Sequence, residues 1–384
     1  MITTFTYQTI NESLAKAKYE KNVARELKSA NQFLLKRKGK KPSWFEGFLD
    51  SNKQKMIETI CRATREEGIA SLSGYREGYF NEIVQNANDL HCGNRISIET
   101  KIQGTKYTMS CKYKDNGFEI SNIYGFLNRE MSDKSSAAGQ TGKFGIGIKS
   151  FFQFVDSLSI ESNVNLNFII ERNLEDEESI PNVTGDVWLN ENWDKKHTIL
   201  EFTFDSELDS GFNIEKLITL CKYLDGQPVG IDSEEMFQCG KRNQLVFDIC
   251  SLIFMGMDET KEAITSIYFK GADREIEITY SFDFDKVEQF EIDSEKWYIG
   301  KGKLQCLEDG DVEYEWEYLI CHTGKYAFAY PLYQDEDVFL DEDDIMNVNN
   351  RFYSTYFLKE DVDHVILPMG LLVHSEYASY RFRR

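Results

Sequence analysis

The chain has 384 residues, of which 41% are hydrophobic and 14% aromatic, enough to pack two or three cores and to exclude a disordered chain. Its 44 Lys and Arg against 65 Asp and Glu give a formal charge of -21, which argues against nucleic acid as the main partner. No apolar run approaches the roughly 20 residues of a membrane span, and the N-terminus lacks the apolar core of a signal peptide. We therefore expect a cytoplasmic protein with no membrane partner.

The first part of the chain favours helices. Residues 11–35, NESLAKAKYEKNVARELKSANQFLL, carry apolar side chains at helical spacing, with Asn11 or Ser13 as a cap. The segment KRKGKKPSWFEGF (36–48) then combines basic and aromatic residues, which could bind nucleic acid but are more typical of a solvated loop between helices. We assign residues 1–70 to a helical N-terminal extension.

The next part mixes helices with strands. YREGYFNEIVQNANDL (75–90) has helical periodicity, whereas RISIETKIQGTKYTMSCKYK (95–114) alternates like two antiparallel strands. SFFQFVDSLSIESNVN (150–165) reads as a helix that runs into a strand, and NFIIER and HTILEFTF are strand-like. This order predicts an α+β layer domain, and not a doubly wound one, over residues 71–205.

The second half begins with helical segments and continues with strands. FNIEKLITLCKYL and QLVFDICSLIFMGM are helical, and TSIYFKG, REIEITYSF, KWYIGKGKLQCL and YEWEYLICHTGKYAFAYPLY are strand-like. We therefore expect a separate α/β domain over residues 206–384. The eight cysteines and five histidines are dispersed, with no spacing that indicates a zinc site or a Cys/His nucleophile. The acidic run DEDVFLDEDD (335–344) lacks the central glycine of a calcium loop.

Two polar motifs lie in the first α+β segment. Glu82, Asn86 and Asp89 occupy positions i, i+4 and i+7 of the predicted helix, so their side chains project from one face. Asp115 ends a predicted strand and precedes Gly117 in a short acidic turn. Taken alone, the helix motif is more typical of an ordinary solvated face, and the acidic turn is far more typical of a hairpin loop.

A glycine-rich stretch, GQTGKFGIGIKS (139–150), follows these motifs. A P-loop needs four residues between its glycines and a Ser or Thr after the lysine, and the dinucleotide fingerprint needs glycines spaced one and then two apart. The stretch satisfies neither pattern, and by itself it is also compatible with a flexible turn before a buried helix.

Taken in order, the three motifs resemble those of the Bergerat-fold or GHKL ATPases, the superfamily of DNA gyrase, the ninety-kilodalton heat-shock chaperone, sensor histidine kinases and MutL. EIVQNAND and GKFGIGIKSFF are most similar to the sacsin-like and chaperone-like branch. The resemblance is specific over residues 75–156, weaker through HTILEFTF and vague beyond 206. It implies a Bergerat-fold sandwich over 71–205, with helices on one face of a mixed, largely antiparallel sheet, and a transducer-like α/β domain over 206–384.

The resemblance also implies ATP and Mg²⁺ as ligands. Asn86 corresponds to the family's asparagine, whose side-chain oxygen holds Mg²⁺ together with phosphate oxygens and water. Glu82 corresponds to the residue that orients or deprotonates the attacking water, and Asp89 lies on the same ATP-facing stripe. We expect Glu82 to govern turnover.

For the base, the resemblance implies a different set of residues. Asp115 would accept a hydrogen bond from the adenine amino group, and Gly117 would let the backbone approach the ring. Ile120 would offer an apolar surface, and Thr198 would help to hold the base through its hydroxyl and an ordered water.

The glycine-rich stretch then resembles the hinge of an ATP lid formed by residues 121–141. Backbone N–H groups and the N-terminus of a helix starting near Ile148 would surround the triphosphate. The residues expected there are Gly142, Lys143, Phe144, Gly145, Ile146 and Gly147.

Two positions depart from the family pattern. Family members usually carry glycine where this chain has Glu119, and again before the late threonine, where it has His197. A carboxylate at position 119 must point away from the phosphates or weaken their binding, so nucleotide binding is better supported than hydrolysis. Lys325 and Arg381 are candidates for a basic contact to the γ-phosphate, with ordinary surface charge as the alternative.

The expected function is that of a slow Mg²⁺-dependent ATPase. Lid closure and association of two ATP domains in a homodimer would switch contacts with a protein client or effector, in a stress or anti-phage role suggested by the branch. Two alternatives remain: a non-hydrolysing ATP sensor or scaffold, motivated by Glu119, and a DNA-handling ATPase of the MutL or topoisomerase type, which needs KRKGKK to form a basic patch. A histidine kinase is excluded because we find no upstream dimerisation helices with a phosphoacceptor histidine.

Overall fold

The computed structural model describes residues 10, 12–13, 21–63, 83, 87, 92–127, 151–152, 154–172, 181–206, 214–230, 265–282, 288–292, 295–322, 326–332, 351–354, 357–361, 366–367 and 370–371. Its helices are α1 (Lys21–Lys36), α2 (Phe45–Ala63), α3 (Ile120–Leu127) and α4 (Glu215–Leu224). Within these ranges, no helix is both long and apolar enough to cross a membrane.

The strands fall into two groups along the chain. The first group is β1 (Arg95–Gln103), β2 (Lys106–Lys114), β3 (Ser157–Glu161), β4 (Val164–Glu171), β5 (Asn182–Leu189) and β6 (His197–Asp205). The second group is β7 (Ser266–Lys270), β8 (Glu275–Phe282), β9 (Glu288–Ile292), β10 (Glu295–Glu308), β11 (Asp311–His322), β12 (Tyr326–Leu332), β13 (Arg351–Ser354), β14 (Phe357–Asp361), β15 (Ile366–Leu367) and β16 (Gly370–Leu371).

One large sheet contains most of these strands. Its order is β14-β13-β12-β11-β10-β8-β7-β1-β2-β6-β3-β4-β5, with β9 paired to β10, while β15 and β16 form a separate pair. The pairing of β1 with β7 is parallel, with Ile96 opposite Ile267, and the other pairings in the described sheet are antiparallel, as for β2 with β6. The predicted α+β class with a mixed, largely antiparallel sheet is therefore confirmed.

The β1–β2 hairpin follows from its sequence pattern. Ile96 and Ile98 of β1 and Met109 of β2 are buried, with more exposed residues between them, as expected when successive side chains point to opposite faces. Gly104 begins the connecting turn with φ of +65°, a conformation that glycine adopts without strain. The predicted strand pair over 95–114 is thus confirmed.

Aromatic side chains of β6 pack against those of the segment that precedes β3. Phe151 and Phe154 follow the glycine-rich stretch, and their rings pack on Phe202, with the Phe151 and Phe202 centroids 4.9 Å apart in an edge-to-face arrangement. Phe202 also stacks on Phe204. These buried rings hold the segment at residues 151–152 and 154 against strand β6.

The N-terminal helices pack beside the first group of strands. Helix α1 buries Val23, Ala30 and Leu34 and contacts α3, while α2 contacts β5 and α3. The segment KRKGKK spans the last residue of α1 and the loop before α2. Its interpretation as an interhelical loop agrees with the structure.

The proposed boundary at residue 206 crosses this sheet. Helix α4 lies between β6 and β7 in the chain and packs on β1, and the parallel pairing of β1 with β7 joins the segments on either side of the boundary. The domain limits 1–70, 71–205 and 206–384 stay predictions.

Candidate functional site

Asp115 lies directly after β2 and is the charged centre of the site. Its backbone N–H donates to the carbonyl of Lys196 at 2.9 Å, which continues the β2–β6 ladder by one residue. The side chain is 7% exposed. Oδ1 accepts the N–H of Gly117 at 3.0 Å, and Oδ2 accepts the hydroxyl of Thr198 at 2.7 Å. Among the described residues, each carboxylate oxygen therefore has one donor.

Thr198 reaches Asp115 from the start of β6. It lies opposite Tyr113 in the β2–β6 register and is completely buried, with 0% exposure. Its Oγ1 lies 2.9 Å from the hydroxyl of Ser162, at the end of β3. A carboxylate accepts, so the Thr198 hydroxyl donates to Asp115, while the Ser162 hydroxyl also lies 3.4 Å from Oδ1 of Asn163. The buried side chains of Asp115, Thr198 and Ser162 thus form one hydrogen-bonded cluster.

Gly117 is required at its position for two reasons. Its φ of +84° lies in the left-handed region, where L-residues are strained. A Cβ atom there would also lie 2.7 Å from Cη2 of Trp193 and 2.9 Å from Cγ of Asn163. The loop that follows Asp115 is therefore in close contact with the β3–β4 and β5–β6 connections.

Glu119, the first departure from the family pattern, is turned toward the N-terminal helix. Its Oε2 accepts a hydrogen bond from Nδ2 of Asn31 in α1 at 2.9 Å, and Oδ1 of Asn31 accepts the N–H of Ile120 at 3.0 Å. The backbone N–H of Glu119 donates to Asn122 at 2.8 Å. The Glu119 carboxylate is thus held by a hydrogen bond from Asn31 of α1.

His197, the second departure, belongs to a rigid connection between β5 and β6. Its Nδ1 lies 2.6 Å from Oδ2 of Asp194, whose Oδ1 accepts the backbone N–H groups of Lys196 and His197. Burial by itself would raise the pKa of Asp194, but these hydrogen bonds outweigh it and hold that pKa at about 2. Trp193 donates its Nε1–H to the His197 carbonyl at 2.6 Å, which keeps the indole beside Gly117.

Some predicted site residues are brought together, and others lie outside the described residues. Asp115, Gly117 and Thr198 meet at one place, and Ile120 is fully buried directly after them. Outside the described residues lie Glu82, Asn86, Asp89, Gly142, Lys143, Phe144, Gly145, Ile146, Gly147, Lys325 and Arg381. Their roles, and those of Asp115, Gly117, Thr198 and Ile120, stay predictions.

The predicted helix over 75–90 is described at two positions. Ile83 and Ala87 are helical and buried in the hydrophobic core, which agrees with the predicted apolar face of this helix. Among the residues that the structure describes, no group of His, Cys, Asp and Glu could hold a metal ion.

Sequence reasoning missed Ser162, Asn163 and Trp193. The first two lie in the stretch SLSIESNVN, whose alternation indicates strands and whose polar residues suggest only a turn. Trp193 lies among polar residues that carry no periodic signal. The contact of Asn31 was also missed, because this residue lies within an ordinary helical pattern. None of these contacts has a local signature.

Comparison with known proteins gives a limited result. No protein-family model matches the chain, and no curated protein matches it. Among solved structures it is similar to the ATPase region of Saccharomyces cerevisiae topoisomerase II, in one structure bound to ICRF-187 (dexrazoxane). Each similarity has a TM-score of 0.31 and 13% identity and covers 59% of this chain and 58% of that chain. The sacsin-like branch stays a prediction.

Proposed function

We propose that the chain is an ATP-binding protein of the GHKL type and a slow Mg²⁺-dependent ATPase. One observation carries the proposal: the hydroxyl of Thr198 donates to Asp115 at 2.7 Å, although the two residues are 83 positions apart. The motif resemblance assigned these two residues to the same base, and a buried Thr–Asp contact agrees with that assignment.

The chemistry of the site fits an adenine base. A carboxylate offers about four lone-pair positions, and the part of the chain that the structure describes supplies one donor to each oxygen of Asp115. Acceptor positions therefore remain for an exocyclic amino group. Guanine, whose carbonyl oxygen would face the same carboxylate, is disfavoured, and Gly117 leaves the adjoining backbone without a side chain.

The hydrolytic part of the proposal depends on the sequence motifs. Asn86 supplies the side-chain oxygen that suits Mg²⁺, and Glu82 orients the attacking water one turn away. Bound Mg²⁺ would neutralise charge on the phosphate oxygens. The glycine-rich residues 142–147 would surround the triphosphate, and segment 121–141 would close over it. Lys325 or Arg381 would contact the γ-phosphate.

At the level of the whole protein, we propose that lid closure drives association of two ATP domains in a homodimer. The output would be a change in contacts with a protein client or effector, in a stress or anti-phage role. The alternative of a non-hydrolysing sensor depends on the Glu119 carboxylate lying near the phosphates. Its hydrogen bond with Asn31 holds that carboxylate toward α1 instead.

The DNA-handling alternative gains no support from the basic loop. Lys41 pairs with Glu46, and the guanidinium of Arg37 donates to the carbonyl of Asn190. Of the positive groups in KRKGKK, Lys41 thus has an acidic partner, and the Arg37 side chain is turned toward the connection between β5 and β6.

The proposal is tested by calorimetry with Mg²⁺ and ATP, together with steady-state phosphate release. We expect the wild type to bind and slowly hydrolyse ATP, Glu82→Ala to bind without turnover, and Asp115→Asn to lose binding, because an amide presents N–H groups to Thr198 and the base. Asp311→Asn, the same chemical change at an exposed position of β11, should behave as wild type. Wild-type binding without turnover would favour the sensor, and absence of ATP binding in the wild type would refute the proposal.

A further inference from the structure

Asn163 occupies an unusual position for a turn residue. It lies in the tight connection between β3 and β4 and is completely buried, with 0% exposure. Asparagine often occupies such turns because it tolerates positive φ. Among the described non-glycine residues, however, positive φ occurs at Arg37, Lys195 and Asp309, so Asn163 has another reason to be there.

That reason is a pair of hydrogen bonds to Phe118, in the loop that follows Asp115. Oδ1 of Asn163 accepts the N–H of Phe118 at 2.7 Å, and Nδ2 donates to the carbonyl of Phe118 at 2.8 Å. Strand β2 ends at Lys114, so the side-chain amide gives Phe118 the pair of bonds that a neighbouring strand would otherwise supply.

Asn163 is itself anchored by its surroundings. Its carbonyl accepts the N–H of Asn190 at 3.0 Å, which ties it to the connection that carries Trp193. Its Cγ lies close enough to Gly117 that an added Cβ would be 2.9 Å away. Gly117 and Phe118 therefore cannot move away from the β3–β4 connection without breaking both amide bonds.

The effect reaches the carboxylate through one further bond. Gly117 donates its N–H to Oδ1 of Asp115 at 3.0 Å, so the orientation of the Gly117 peptide determines how that oxygen is occupied. Because Thr198 fixes the other oxygen at 2.7 Å, a shift of the Gly117–Phe118 backbone would turn the remaining acceptor positions away from their present direction.

We propose that Asn163 is a positioning residue for nucleotide recognition: its side-chain amide fixes the Gly117–Phe118 backbone and thereby directs the free acceptor positions of Asp115 toward an amino group of the base. This inference rests on the proposed ATP-binding function.

The first test compares ATP affinity in the full chain across pH. Asn163→Asp keeps the acceptor for the Phe118 N–H, but its carboxylate repels the Phe118 carbonyl unless it is protonated. We expect ATP affinity about 10-fold to 100-fold below wild type at pH 7.5, from the loss of one bond and an unsatisfied buried group. The ratio of variant to wild-type affinity should recover as the pH is lowered, because protonation restores a donor and burial raises the pKa of such a carboxyl.

Two controls accompany this measurement. Asn167→Asp introduces the same charge at an exposed position of β4 and should leave the affinity ratio near one at every pH. Asn163→Ala removes both bonds and should weaken ATP binding without a pH-dependent recovery. An affinity of Asn163→Ala equal to wild type, or a flat ratio for Asn163→Asp, would overturn the inference.

A second test needs no nucleotide. Hydrogen exchange of the Gly117 and Phe118 amides is measured in the ligand-free protein, with the midpoint of thermal unfolding recorded for each variant. We expect exchange to increase about tenfold or more at these two amides in Asn163→Ala, with little change along β2 and β6. Unchanged exchange at residues 117 and 118, or an equal increase throughout the sheet, would show that Asn163 does not fix the loop.

The two tests separate the two ideas. If the wild type fails to bind ATP, the proposed function fails, and with it the nucleotide part of this inference. Local exchange at residues 117 and 118 would still decide whether Asn163 holds the loop that carries the acceptor of Asp115.

Discussion

At the scale of single residues, Gly117 shows how tightly the loop after Asp115 is confined. Its backbone is left-handed, with φ of +84°, and its Cα faces Trp193 and Asn163 within contact distance. Backbone strain and lack of space are separate costs of a substitution. At Gly104 only the backbone strain applies. Gly104 has φ of +65°, but nothing lies within 4 Å of an added Cβ.

We predict that Gly117→Ala lowers the free energy of unfolding by more than Gly104→Ala. The strain common to both changes costs roughly 1–2 kcal/mol, and displacement of Trp193 or Asn163 should add about 1–3 kcal/mol of overpacking. Denaturant unfolding measures the difference, and ATP titration should show loss of binding in Gly117→Ala alone. Equal destabilisation by the two changes would mean that the loop has more room than these contacts indicate.

At the scale of elements, the side chain of Asn31 connects α1 to the loop after Asp115. Asn31 donates to Glu119 and accepts the N–H of Ile120, the first residue of α3. These bonds satisfy a backbone group at the start of α3, which has no partner within its own helix. The N-terminal helix is thus coupled to the segment proposed as the start of the lid.

We predict that Asn31→Ala reduces the free energy of unfolding by about 1 kcal/mol, because one exposed and one partly buried hydrogen bond are lost. The released Glu119 carboxylate should also weaken ATP binding, as the departure from glycine at this position suggests. Gln32→Ala, at an exposed neighbouring position of α1, is the matched control. ATP affinity in Asn31→Ala equal to that of Gln32→Ala would show that the position of Glu119 does not influence the site.

At the scale of the whole molecule, the sheet continues across the proposed boundary at residue 206. The parallel pairing of β1 with β7 places Ile96 opposite Ile267, and both side chains are fully buried. Removal of β7 would expose the hydrogen-bonding edge of β1, which is a site for aggregation. The two segments therefore share a core as well as a sheet.

We predict that Ile267→Ala lowers the stability of both segments. A buried Ile→Ala change costs about 2–5 kcal/mol, and hydrogen exchange should increase in β2 and β6 as well as in β7 and β8. Val312→Ala, at a side chain that is 52% exposed, should cause little change. If protection in β2 and β6 is unaffected by Ile267→Ala, the segments on either side of residue 206 unfold independently.

Several elements could be predicted because their signals are local. The alternation in RISIETKIQGTKYTMSCKYK and HTILEFTF identified β1, β2 and β6, since a strand with one buried face repeats every two residues. Strand β5 was missed because Gly185 interrupts it and most of its residues are exposed or half-buried. The turn at Asp115-x-Gly117 was visible because acidic residues and glycine favour such turns.

What the sequence by itself determined was therefore the α+β class, the hairpin over 95–114 and the candidate residues Asp115, Gly117 and Thr198. Only the tertiary structure decided that Asn163 holds Phe118 from 45 positions away, that Asn31 holds Ile120 from 89 positions away, and that β1 pairs with β7. The physical reason is that periodicity and turn chemistry depend on neighbours in the chain. A buried side-chain amide finds its partner only after distant segments have packed together.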